Sequence, residues 1–302
     1  MKRIFIIIVA LMIESNLMAQ LDPLYKQYHF NQLMINPAYA GIYNRFSTSF
    51  ITGLQWVGLE GAPVTNTLTL QSALKDGQIG LGTVLVNDRL GINNNLEAQL
   101  SASYNLKLGD AKLGMGIQGG LINYSYDLSK LTLDYVDDER LYSGLDNVTQ
   151  PNFGVGFMLL SKKYFVGLSV PRILDVKVED GVATSTRYQR HYYLGGGYVH
   201  EGYFSNSFKF SAMGRYVEGG TPSLDLSVSA FMEGYIWFGI NARDLRYYGL
   251  FFILDMGKNL RLGYSFELPT NSLIQSNYGT HEISIAFDAT LGKGQTLRNR
   301  YF

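Results

Sequence analysis

The chain has 302 residues, enough for one large barrel or two ordinary soluble domains, and 25 basic residues balance 25 acidic ones. This even balance disfavours nucleic-acid binding, which needs a strongly basic surface, and the absence of cysteine excludes disulfides, thiolate metal sites and a lipid anchor on cysteine. Tyrosine (22), phenylalanine (17) and glycine (33) are abundant while only 17% of residues are charged, which is typical of an all-β protein whose outer face contacts lipid.

The N-terminus has the three-part pattern of a secretory signal peptide. Two basic residues at positions 2–3 precede an apolar run at 4–13, and the small residue Ala19 follows. The run is too short for a transmembrane helix, which needs roughly 20 apolar residues. We therefore predict a signal peptide at residues 1–19, with cleavage after Ala19 and a mature chain that begins at Gln20.

Residues 20–45 show no strand pattern. Asp22 is a suitable helix cap before Pro23, residues 24–34 tolerate a helix, and Asn36-Pro37 would end it. If the following strands close into a wide barrel, its polar lumen needs an occupant. We therefore expect this short helical segment to plug the lumen or to cap its periplasmic mouth. The alternative is a loose leader in the periplasm.

Segments that alternate between apolar and polar residues follow, and the clearest is 96–108. Its apolar set runs from Leu96 to Leu108, while the residues between them are polar. Only a strand keeps two such sets on opposite faces. We expect Leu100 to face lipid and Ser101 to face a lumen polar enough to solvate a charge. The fourteen candidate strands lie near 46–54, 64–74, 78–87, 96–108, 111–126, 152–161, 164–170, 189–200, 206–217, 222–233, 235–242, 247–255, 259–267 and 280–292.

The connections between these segments alternate in length. Those after odd-numbered strands are expected to be long, residues 88–95 included, whereas those after even-numbered strands are short. This rhythm is typical of a barrel with both termini in the periplasm, and an even strand number allows antiparallel closure. Aromatic residues near strand ends would form girdles at the lipid interfaces: Trp56, Tyr124, Tyr126, Tyr164, Tyr216, Tyr235 and Tyr247.

We therefore predict an all-β fold, a transmembrane antiparallel β-barrel of about fourteen strands at residues 46–292 with a tail at 293–302. A soluble β-sandwich is the alternative, because its strands also alternate.

No pattern of catalytic or metal-binding residues is evident. None of the four histidines has the spacing of a metal site, and the neighbours His281 and Glu282 should point to opposite faces of a strand. We therefore predict neither an enzyme nor a bound cofactor or metal, and we interpret His281 as a hydrogen-bonded residue at the barrel rim. Carboxylates in the loop at 127–151 are compatible with calcium, but a solvated outer loop is the preferred interpretation.

Two strings stand out: Asn36-Pro37-Ala38-Tyr39-Ala40-Gly41, which follows Asp22-Pro23, and Gly279-Thr280-His281-Glu282-Ile283. Together they resemble the PorP/SprF family, membrane proteins of the type IX secretion system; either string alone would be weak. Leu54 stands close to where the resemblance leads us to expect an arginine. The motif residues that the resemblance implies as structural or partner contacts are Asn36, Pro37, Ala38, Gly41, Gln55, Trp56, Pro63, Pro171, Arg172, His281 and Glu282.

The resemblance implies an outer-membrane protein of a Gram-negative bacterium that helps to secrete cargo or to anchor it at the cell surface, gliding adhesins included. The implied partners are a secreted surface protein or its C-terminal domain, other type IX secretion components and outer-membrane lipid, but no nucleic acid. The alternative function is a transporter or porin for a small ligand. The predicted outer loops 127–150 and 171–188 either bind the secreted partner or only shield the barrel mouth.

Overall fold

The computed structural model describes residues 26–126, 148–179, 184–202, 206–218, 220–257 and 259–290. Within these ranges the chain forms sixteen strands and short 3-10 turns, and no helix there is long and apolar enough to cross a membrane. The strands are β1 Phe46–Leu54, β2 Val64–Leu74, β3 Ile79–Leu90, β4 Asn93–Leu108, β5 Ala111–Tyr126, β6 Val148–Leu160, β7 Tyr164–Val170, β8 Val176–Glu179, β9 Thr184–Tyr188, β10 His191–Glu201, β11 Ser207–Val217, β12 Ser223–Met232, β13 Ile236–Arg243, β14 Tyr247–Met256, β15 Leu260–Pro269 and β16 Thr280–Ala289. The 3-10 turns are Lys26–His29, Gln32–Met34, Pro37–Tyr39, Lys75–Gly77 and Ser272–Gln275.

Fourteen of the described strands form one closed antiparallel barrel. Strands that are adjacent in the barrel are also consecutive in the sequence, with two exceptions. β7 pairs directly with β10, because β8 and β9 form a separate two-stranded sheet, and β1 pairs with β16 to close the barrel. Every barrel strand corresponds to one of the fourteen predicted segments, so the barrel prediction is confirmed. A sheet that closes on itself also rules out the two-sheet sandwich.

The two ends of the barrel differ. We call the end where β1 begins and β16 finishes the short-turn end, and the opposite end the loop end. Connections at the loop end include 55–63, 171–190 and 270–279. The prediction of a long connection at residues 88–95 is wrong. β3 and β4 continue to a two-residue turn at 91–92, because Gly91 adopts a left-handed conformation (φ 58°) that such turns require. The β8–β9 hairpin inside the 171–190 connection was not predicted.

The two faces of the strands follow the predicted alternation. In β4, Leu100 points outward and is 67% exposed, whereas Gln99 points into the lumen and is 1% exposed. Ser101 is also buried, so the lumen there is packed rather than open to solvent. Two predicted girdle residues face inward instead: Tyr124 is buried, and Tyr247 packs against the buried Arg243.

The lumen contains the chain's own N-terminal residues. We call residues 26–43 the plug, and every residue from 30 to 43 is buried. The predicted short helical segment forms separate 3-10 turns within the described residues, because Asn31 and Asn36 each take an extended conformation and start a new turn by accepting a hydrogen bond from the N–H two residues ahead. The expected helix cap at 22–23 lies outside the described residues.

Candidate functional site

Part of the inner wall against which the plug lies is formed by glycines. A Cβ atom built on Gly80 would collide with the carbonyl group of Ala40, and one on Gly116 would collide with the main chain of Ala38. A Cβ on Gly156 would strike the side chain of Asn36 in the same way. The glycines of this wall therefore let two backbones approach closely. The wall glycines are Gly80, Gly82, Gly114, Gly116, Gly156 and Gly167.

Several barrel side chains bind the main chain of the plug. The Ser103 hydroxyl donates to the carbonyl oxygen of Ala40 at 2.7 Å, and the Ser169 hydroxyl donates to that of Ile35 at 2.6 Å. These bonds satisfy plug carbonyls that would otherwise be buried without a partner. Two further bonds of this kind join Lys112 Nζ to the Ile42 carbonyl (2.8 Å) and the Gly41 N–H to Gln71 Oε1 (3.1 Å).

Two asparagines anchor the plug with their side chains. Asn31 Nδ2 donates to the hydroxyl oxygens of Ser49 (2.8 Å) and Thr69 (2.6 Å), on strands β1 and β2. Asn36 Nδ2 donates to the carbonyl of Phe157 on β6 at 3.0 Å, while its Oδ1 accepts from the Ala38 N–H at 2.9 Å. Asn36 therefore shapes the plug and fixes it to the wall at once.

The opposite side of the plug is aromatic. The His29 ring stacks on Phe251 with centroids 4.9 Å apart, and the guanidinium of Arg261 lies over the Phe30 ring at 4.7 Å. Arg261 is in turn 3.2 Å from a carboxylate oxygen of Asp288. A charged group of the barrel thus packs on an apolar plug ring while keeping an ionic partner.

The loop-end half of the lumen receives the segment after β7. Arg172 turns inward and pairs with Glu97 through Nη2–Oε2 (2.5 Å) and Nε–Oε1 (3.1 Å), with both side chains buried. The carbonyl of Pro171 accepts from Gln118 at 2.8 Å. Pro171 and Arg172 therefore form the inward-facing base of the loop 171–190 and do not present themselves at its surface.

A second group of motif residues meets where β1 and β16 close the barrel. The loops 55–63 and 270–279 continue the strand pairing, with Val57 N–H bonded to the Gly279 carbonyl (2.8 Å) and Tyr278 N–H to the Val57 carbonyl (2.7 Å). Gln55 and Pro63 are buried there and joined by a backbone bond of 3.0 Å. The bonds of Val57 therefore continue the β1–β16 pairing into the loops, whereas the Gln55–Pro63 bond closes the loop between β1 and β2.

The side chains of His281 and Glu282 lie on opposite faces of β16, one outside the barrel and one inside it. His281 bonds the Tyr264 hydroxyl through Nδ1 (2.7 Å) and the Tyr278 carbonyl through Nε2 (3.1 Å), on the outside of the barrel rim. Glu282 is buried on the inside, where the Gly53 backbone leaves room for it. The pair therefore shares no site.

Within the described ranges, no group of three His, Asp or Glu side chains is arranged to hold a metal ion. The carboxylates considered for calcium, at positions 134–146, lie outside those ranges.

Sequence reasoning missed the glycine wall, although a signal for it was present. Glycines recur two residues apart on the inward face of three strands, at 80 and 82 on β3, at 114 and 116 on β5, and at 154 and 156 on β6. All of them except Gly154, where a Cβ would meet Pro171, approach the plug. Since residues two apart share one face of a strand, such pairs indicate a place where another backbone comes close.

Comparisons with known proteins agree with this architecture. The family described as type IX secretion system membrane protein PorP/SprF matches residues 17–287. No curated protein matches the chain. Among solved structures, the outer-membrane protein Omp33 of Acinetobacter baumannii is 9% identical with a TM-score of 0.50, covering 82% of this chain and 100% of that one. A TodX deltaS2S3 mutant monoaromatic hydrocarbon channel is 10% identical with a TM-score of 0.51, covering 86% and 94%. At such low identity these two structures share only the fold.

Proposed function

The chain belongs to the type IX secretion system membrane protein family PorP/SprF, and on that premise we propose that it is an outer-membrane component that helps to secrete a cargo protein or to hold it at the cell surface. The apolar outward face of the barrel supports its placement in lipid. By the usual rule for such barrels, the short-turn end faces the periplasm and the loop end faces outward.

The observation that carries this proposal is the occupied lumen. A diffusion channel needs an open path, but the plug lies inside the short-turn half of this barrel, and Arg172 with its neighbours enters the loop-end half. Both occupants are held by buried hydrogen bonds. This arrangement supports a role in binding a protein and disfavours passive uptake of a small ligand. It also requires no catalysis.

We place the partner-binding surface at the loop end. The hairpin β8–β9 rises from a base that Asn152 fixes, since Asn152 Oδ1 accepts from the Ile173 N–H (3.0 Å) and Nδ2 donates to the Leu174 carbonyl (2.7 Å). A loop on a rigid base is a common site of recognition. The other proposed binding loop, at 127–150, lies mostly outside the described residues.

Affinity purification tests the proposal. The tagged chain is extracted from outer membranes in mild detergent, and an unrelated tagged barrel serves as the control. We expect a large secreted protein, and other type IX secretion components, to co-purify with the chain alone. Recovery of the chain without partners, together with rapid solute flux through it in liposomes, would instead favour the transporter.

Shortened loops locate the binding surface. Replacing residues 127–147 or 176–188 with a tight turn should reduce the captured partner several-fold while leaving a folded, heat-modifiable barrel, because the strand pairing on either side is kept. Wild-type capture by both variants would move the binding surface to another part of the chain.

A further inference from the structure

The plug has almost no tether on which to move. Only Asn44 and Arg45 separate its last buried residue, Tyr43, from the first residue of β1. Arg45 is itself 3.7 Å from a carboxylate oxygen of Asp288 on the last barrel strand. A linker this short gives the plug little freedom to swing away from β1 as one body.

The contacts of the plug extend around the barrel. Hydrogen bonds join the plug to five strands: from Asn31 to β1 and β2, from Ala40 to β4, from Asn36 to β6 and from Ile35 to β7. On the far side, Phe30 packs on β15. Release would break contacts on several separate strands together, and it would leave a wall of bare glycine backbone facing an empty lumen.

From this geometry we infer that the plug stays docked while the protein works, so that the secreted partner is held at the loop end and never passes through the lumen. The inference rests on the proposed function and specifies which part of the barrel performs it. The barrel then serves as an anchor and not as a conduit.

A disulfide between plug and wall tests this directly. The Cβ atom of Ala40 lies 3.3 Å from the position of a Cβ on Gly82, close to the ~3.5–4.5 Å that a disulfide spans. Because the chain has no cysteine, the double variant A40C/G82C can form only this bond within the chain. The single variants Ala40→Cys and Gly82→Cys are matched controls, and reductant provides the reversal.

We expect the cross-linked barrel to capture and display as much secreted partner as the wild type, before and after reduction. A several-fold loss of capture in the cross-linked form that reduction restores, with both single variants active, would overturn the inference. The comparison is made against wild type, so a wild type that captures nothing would refute the proposed function and not this inference.

Thiol labelling decides the point without any partner. Met34→Cys places a smaller side chain at a buried plug position, and Ser276→Cys places one on an exposed turn at the loop end. In secreting cells, a maleimide should label Ser276→Cys fully and leave Met34→Cys unlabelled. Labelling of Met34→Cys that increases with secretion would show that the plug leaves, and would overturn the inference.

Discussion

Replacing Gly116 with alanine adds one methyl group at the closest approach between plug and wall. The new Cβ would collide with the main chain of Pro37 and Ala38, neither of which can rotate away as a side chain would. The matched control is Gly119→Ala on the same strand. Its Cβ points outward, 3.3 Å from the ring of Phe153, an exposed side chain that can shift, and 3.9 Å from the Asn152 carbonyl oxygen.

The two substitutions should change the free energy of unfolding in opposite directions. Overpacking a rigid site costs about 1–3 kcal/mol, whereas alanine in place of glycine within a strand contributes about 0.5–1 kcal/mol of stability when space is available. Gly116→Ala should therefore lower the free energy of unfolding by about 1–2 kcal/mol, after the two effects offset. Gly119→Ala should leave it unchanged or raise it slightly.

Urea unfolding in phospholipid vesicles measures both variants. Trp237 is a suitable fluorescent reporter, because it is buried in the lumen beneath the Lys209 ammonium group at 4.9 Å. Adding Gly116→Ala to the Met34→Cys variant should also increase maleimide labelling of the plug. If Gly116→Ala is as stable as Gly119→Ala and the plug remains unlabelled, the close packing of the plug does not require glycine at position 116.

Three other predictions concern lipid contact, a buried ion pair and processing. Leu100 points outward, and in the proposed membrane it would face mid-bilayer lipid, so Leu100→Arg should cost about 2–4 kcal/mol in the same unfolding assay. Ser101→Arg should also destabilise the barrel, since Ser101 is buried in a packed lumen. A wild-type unfolding midpoint for either variant would contradict the assigned faces. Arg172→Met should cost about 3–5 kcal/mol by leaving Glu97 buried without its charge partner; the double variant E97Q/R172M should regain part of that loss, and simple additivity in the double-mutant cycle would argue against the pair. Mass spectrometry of the mature protein should find Gln20 as its first residue, and an intact Met1 would disprove the signal peptide.

The strands and their two faces were predictable from the sequence because both are local properties. Every second residue from Leu96 to Leu108 in β4 is apolar, and only an extended chain separates Leu100 from Gln99 in that way. Residues on the outward face are mostly apolar and residues on the lumen face are mostly polar, so the sequence of each strand indicates which of its residues point outward. The resemblance to one family likewise depended on short strings that can be read in place.

The path of the plug and the inward turn of Arg172 were decided by the tertiary structure alone. Asn36 bonds a carbonyl 121 residues away, and Arg172 pairs with a carboxylate 75 residues away. No periodicity connects such positions, because they meet only after the barrel has closed and brought distant strands around one lumen. For the same reason, the buried main chain of the plug explains the wall glycines, while the local sequence around each glycine shows only that a strand has lost a side chain.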